Sequence, residues 1–246
     1  MSITQVLRES YDIARKNPLI FVPLLVASVF SVLFSLITVG STVPMLSGLA
    51  AHPATASPEQ MMAGVGAAVG AVFLVSTISG IVYLLAHGMT VALADLAIKD
   101  QPASLGAGWG RLMSRLAAII IASILVGILV GIGTLLLVLP GIIVAFLLMF
   151  TLIAVMVDDA NAFDALSRSF RTVTGHFRTT FVVFLVLIAL GVLSGIVGGI
   201  VGLIPVLGVI LTMIVSALYT GYVTIFMLLA YRRITATPEA GPEPQA

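Results

Sequence analysis

The chain has 246 residues, 60% of them hydrophobic and only 9% charged, with a formal net charge of +1. No water-soluble globule of this length hides that much apolar surface, so composition excludes an ordinary soluble domain and gives no basis for a nucleic-acid partner. With no cysteine in the chain, a disulfide framework, a thiolate metal site and a cysteine nucleophile are excluded as well.

The charges are grouped. All eleven basic residues fall in four clusters: Arg8, Arg15 and Lys16; Lys99, Arg111 and Arg115; Arg168, Arg171 and Arg178; Arg232 and Arg233. Residues 116–157 and 179–231 carry no charge, and residues 17–94 carry only Glu59. A hydrocarbon layer about 30 Å thick takes roughly 20 helical residues per crossing. Each stretch therefore holds two crossings, near 19–39, 66–94, 117–138, 141–157, 180–199 and 206–230. Every basic cluster then lies on one side, which the positive-inside rule makes the cytoplasm, with both termini inside. The expected compartment is a prokaryotic plasma membrane, and a cleaved signal peptide is not expected.

In chain order, residues 3–16 read as a helix lying at the membrane boundary. Ile3, Val6, Leu7, Ile13 and Ala14 share one face, Tyr11 stands at its edge, and Arg8, Asp12, Arg15 and Lys16 lie opposite. Asn17-Pro18 ends it. The stretch from Gly40 to Met62 reads as a loop on the far side, with His52 a lone imidazole. The second span opens with Gly66 and Gly70 four apart, a spacing that lets helices approach closely; Gly127 with Gly131, and Gly191 with Gly195 and Gly199, repeat it. His87, near the inner boundary, reads as bonded to a neighbouring helix.

Residues 102–116 form a second boundary helix with Trp109 as its headgroup-level anchor. Val138-Leu139-Pro140-Gly141 reverses the chain into the fourth span. The third boundary helix, about 161–177, places Phe163, Leu166, Phe170, Val173 and Phe177 within roughly 80° of arc. Pro205 turns the chain into the sixth span, which ends at Tyr231-Arg232-Arg233. Residues 234–246 read as a disordered Pro-rich tail.

The boundary segments share a spacing. VLRESYDIARKN, SLGAGWGRLMSR and ALSRSFRTVTGH align Leu7 with Leu105 and Leu166, and Tyr11 with Trp109 and Phe170. Each precedes two spans, which return the chain to its starting side, so the units are parallel repeats. The expected architecture is an all-α integral membrane domain over residues 1–233. It comprises six spans in three hairpin units, about 3–98, 103–159 and 161–232.

The LPGIIVAF turn and span, the ALSRSFRTVTGHF segment and the terminal YRR resemble the membrane domain associated with glycerophosphoryl diester phosphodiesterases and YciC-like prokaryotic membrane proteins. What the resemblance implies is a membrane module without the hydrolase. On the residues themselves, no HExxH, GxSxG or P-loop pattern occurs, and no cofactor or metal is called for. Asp158, Asp159, Asp164 and His176 are the boundary candidates for an enzyme, and adjacent aspartates on a helix diverge by about 100°.

The expected function is a non-catalytic module that engages anionic lipid through Arg111, Arg115, Arg168, Arg171 and Arg178, or a scaffold for a membrane-protein partner or a second copy. Tyr11, Trp109, Phe170 and Tyr231 are the expected interfacial anchors. Transport of a lipid or apolar small molecule is the alternative, since the spans hold almost no ionisable group for an ion path.

Overall fold

The computed structural model describes residues 2–51, 57–205 and 207–236. Among these residues there are nine α-helices and no strand. In order they are α1 (Ile3–Lys16), α2 (Val22–Ala51), α3 (Pro58–Ile98), α4 (Leu105–Leu136), α5 (Val138–Leu147), α6 (Thr151–Val157), α7 (Ala162–Gly175), α8 (Phe177–Gly202) and α9 (Leu207–Ala236). A 3-10 turn, Pro18–Phe21, leads into α2. Six segments are long and apolar enough to cross a bilayer: Pro18–Pro44, α3, α4, Val138–Val157, α8 and α9. The chain is a multi-pass helical membrane protein.

The helices depart from the sequence reading in several places. Most of the expected far-side loop is helical, since α2 continues to Ala51 and α3 begins at Pro58. Ser57 caps α3 by accepting from the Gln60 amide, and the Gln60 side chain accepts from the Ser57 amide. His52 lies outside the described residues, as do residues 237–246 of the tail. Residues 234–236 belong to α9.

The second boundary helix is not a separate element. It runs without interruption into the third span as α4, because Arg115 continues the helix where Asn17 and His176 end α1 and α7. The fourth span, by contrast, is divided between α5 and α6. At the break, Met149 donates to Phe146 and Thr151 to Leu148, three residues back in place of four. The hydroxyl of Ser169, on α7, fills the gap: it donates to the Leu147 carbonyl at 2.9 Å and accepts from the Phe150 amide at 3.1 Å. A side chain inserted into the ladder is a recognised cause of such breaks, and backbone freed within a membrane must find such a partner.

The reversal between α4 and α5 is made at Leu137, whose backbone is extended (φ −164°, ψ 148°). There the chains are so close that a Cβ on Gly133 would stand 3.0 Å from the Gly141 Cα, and one on Gly141 would strike Thr134. Glycine is required at both positions.

The spans pair as hairpins, α2 with α3, α4 with α5 and α8 with α9. Burial gathers at one end. The core takes in the last turns of α3, α6 and α9, the first turns of α4 and α8, and α7, with Leu93, Leu112, Phe150, Met156, Phe226 and Leu228 fully enclosed. The opposite halves of the hairpins leave Leu36, Phe73, Leu135, Ile196, Ile200 and Leu207 exposed, as side chains in contact with lipid are. Phe146 on α5 meets the rings of Phe177, Phe181 and Phe184 on α8 at 5.8, 6.2 and 5.0 Å.

Helices α3 and α9 lie side by side in a fixed register. Tyr83 bonds Thr220 at 3.2 Å, His87 bonds Thr224 at 3.1 Å, and Arg232 donates to Asp95, each pair being 137 residues apart. His87 is thus bonded to a neighbouring helix, as its sequence reading has it. Between the rungs, Val91 and Leu228 are buried.

Candidate functional site at the charged end

Among the described residues, the acidic and basic side chains that pair with one another do so at the enclosed end. The pairing is organised by Tyr231-Arg232-Arg233 at the end of α9, whose members go to three acids on three parts of the chain. Tyr231 donates to Asp158, Arg232 pairs with Asp95, and Arg233 pairs with Glu9 of α1. Lys99 also pairs with Asp95, at 2.7 Å. Tyr231 is therefore no interfacial anchor. It is 2% exposed, packed 5.3 Å from the Phe150 ring, whereas Tyr11, Trp109 and Phe170 are 58%, 51% and 49% exposed. A tyrosine at the end of a span reads as a headgroup-level residue, but here its hydroxyl has a carboxylate to meet inside the protein.

Asp158 and Asp159 diverge, as adjacent positions should. Asp158 is the C-cap of α6 and also accepts from Arg168 at 3.3 Å. Asp159 takes a left-handed backbone (φ 56°), which swings its side chain to α4, where it pairs with Arg111 at 2.9 Å and with Arg115. The guanidinium of Arg115 additionally donates to the Asp159 carbonyl at 3.0 Å, and Arg111 Nε donates to that of Met156 at 3.3 Å. Three of the five arginines expected to meet lipid headgroups are thus held by these two aspartates. Arg171 and Arg178 have no ion pair among the described residues.

The sequence signal for this arrangement was present only as the clustering of charge at span ends. Which acid meets which base depends on how the hairpins assemble. His176 is not drawn into the cluster: among the described residues, its two ring nitrogens are buried with no hydrogen-bond partner, at the junction of α7 and α8. Also among the described residues, no group of three His, Asp or Glu stands close enough to hold a metal ion.

Helix α7 presents three faces. Ala162, Ala165, Ser169 and Val173 are buried against the protein. Phe163 (71% exposed) and Phe170 flank that face on one side, Arg168 flanks it on the other, and Arg171 lies opposite it. The apolar face read from the sequence is therefore divided, with small residues packing inward and phenylalanines facing out. Position by position, Ser10, Gly108 and Ser169 precede Tyr11, Trp109 and Phe170, and all three are buried.

The glycines expected to bring helices together are mostly not the ones that do. At Gly66, Gly70, Gly127, Gly131, Gly195 and Gly199 a Cβ would meet nothing within 4 Å; at Gly191 it would meet the Tyr219 hydroxyl at 3.1 Å. Close approach falls instead where an added Cβ would stand 2.8 Å from Leu112 (at Gly88), 3.0 Å from Leu93 (at Gly108) or 2.8 Å from the Val201 carbonyl (at Gly208), or would strike Phe21 (at Gly221). In the second span the buried small pair is Gly64 and Ala68, two residues out of phase with Gly66 and Gly70. Gly127 and Gly131 line a groove of about 560 Å³ between α4 and the broken span, together with Ser123, Leu148 and Thr151.

No match to this chain was found among the curated proteins or the solved structures. A family model described as a domain of unknown function, DUF7847, matches residues 1–237, and the chain belongs to that family.

Proposed function

We propose that this DUF7847 member is a non-catalytic membrane module that engages anionic lipid at its charged end. The observation that carries the reading is the division of α7. Its small face is committed to the protein, its phenylalanines are exposed beside it, and Arg171 next to them and Arg178 just beyond keep no acidic partner among the described residues. Exposed aromatics beside basic groups suit the boundary between hydrocarbon and headgroups. Each such cation contributes about 1 kcal/mol near an anionic surface.

On this reading α1, the first turns of α4, and α7 are three equivalent boundary elements of three parallel units. The buried Ser10, Gly108 and Ser169 beside three half-exposed aromatics support that equivalence. The charged end faces the cytoplasm by the positive-inside rule, in a prokaryotic plasma membrane, and the kinship to phosphodiesterase-associated and YciC-like membrane domains belongs to the same proposal.

The test is native mass spectrometry of the purified protein with an anionic phospholipid and phosphatidylcholine. Replacing Arg171 and Arg178 by Gln should reduce retention of the anionic lipid roughly thirtyfold, for about 2 kcal/mol lost, with no change in thermal unfolding. Retention equal to the parent would remove the reading. The divided fourth span beside its groove favours a second reading, passage of a lipid or apolar small molecule, because broken helices mark the sites of many transporters.

A further inference from the structure

A second recess at the charged end carries a more specific assignment. It has a volume of about 440 Å³ and opens between the last turns of α3, the first turns of α4 and the end of α6, lined among others by Asp95, Lys99, Gln101, Gly110, Arg111 and Ser114. Its existence depends on the glycines of α4. Gly108 packs against Leu93, which draws α4 onto α3, whereas a Cβ on Gly110, on another face, would meet nothing within 4 Å. One glycine closes the helix pair and the other leaves the recess open.

The charge around it is unbalanced. Among the residues that line it, Lys99 and Arg111 stand against one carboxylate, Asp95, which Lys99 shares with Arg232, so the wall carries one net positive charge. Asp100, next to Lys99, is exposed and takes no part in the lining. A net positive wall attracts a phosphoryl group, which carries about −1.5 to −2 near neutral pH and three acceptor oxygens. A forked guanidinium and an ammonium are suited to such an anion, and the Gln101 amide adds a neutral donor.

We infer that this recess is a binding site for a phosphate group, carried either by a lipid headgroup or by a small soluble phosphate. The site does not rest on the α7 surface: it uses other side chains and a concave geometry.

The test is calorimetric titration of the full chain in a mild detergent with inorganic phosphate and, separately, with dioctanoyl phosphatidic acid, dioctanoyl phosphatidylcholine serving as the control. Saturable binding of phosphatidic acid alone assigns the site to a lipid headgroup. Comparable binding of inorganic phosphate assigns it to a soluble ligand. Each supports the inference when Gly110→Leu, which fills the recess, and Lys99→Gln each weaken binding about tenfold. The Gly110→Leu chain should unfold at or above the parent's temperature, since leucine is the better helix former and the space is free. No binding of either probe, or parental affinity in the Gly110→Leu variant, overturns the site. Loss of anionic-lipid retention in the Arg171/Arg178 variant with these titrations unchanged would separate this site from the α7 surface.

Discussion

The two ends of the molecule are built on different principles. At the charged end, helices from all three hairpins meet, side chains interlock, and every carboxylate in the network answers a base on another segment or turn. At the far end, the hairpins hold mainly to themselves, and their outer surfaces are plain Leu, Ile, Val and Phe. In lipid there is no hydrophobic force to pull two apolar helices together, so association rests on packing and hydrogen bonds. The polar groups that can provide bonds sit at one end, and the assembly is tight where they are.

That contrast predicts where substitutions will matter. The largest effect is expected at Asp95, whose removal leaves the mostly buried Arg232 without its carboxylate, while Lys99, 43% exposed, can turn to water. Asp95→Ala should lower stability by about 3 kcal/mol, on the scale for breaking an enclosed ion pair. Unfolding in detergent monitored by circular dichroism measures it, and a change under ~1 kcal/mol would mean that the network is not what joins the hairpins.

A smaller effect is expected at Ser169. Its removal leaves the Leu147 carbonyl and Phe150 amide unsatisfied, for a loss of about 1–3 kcal/mol. Ser169→Ala should also raise hydrogen exchange at residues 147–151 above that of α8, and unchanged exchange there would show that the break keeps itself closed.

The smallest effect separates the glycines. Gly66→Ala and Gly195→Ala should be neutral or stabilising by up to about 1 kcal/mol, since each adds helix propensity in open space. Gly133→Ala should destabilise, because the added Cβ would stand 3.0 Å from the Gly141 Cα. Equal behaviour of the three variants in thermal unfolding would dissolve the distinction between glycines in close contact and glycines in open space.

How much of this could be read from the residues differs between fold and site. Six spans follow from charge-free length, because a charge in hydrocarbon is costly wherever it stands. The turn at Val138-Leu139-Pro140-Gly141 was legible from proline and glycine, although the reversal itself is made at Leu137. The break after Leu147 was not legible, since Leu148, Met149 and Phe150 include no helix breaker. A hydroxyl 19 residues away from Phe150 decides it, and that contact exists only in three dimensions.

The glycines failed for a related reason. Small residues recur in several phases along α3, so spacing of four selects Gly64 with Ala68 as readily as Gly66 with Gly70. Only the direction of the neighbouring helix chooses between them. At the charged end, composition located the arginines, but a guanidinium aimed at lipid and one aimed at Asp159 look alike in sequence.

The constant offset between α3 and α9 has a mechanical consequence. Three rungs with one spacing act as a vernier: they close together in one alignment only. A slide of α9 by one turn, about 5.4 Å, would carry Thr224 away from His87, Thr220 away from Tyr83 and Arg232 away from Asp95 in a single step. No partial displacement keeps two rungs while losing the third. The first and last hairpins are therefore keyed to each other along α3 and α9, whereas the fourth span, in the middle hairpin, is cut in two.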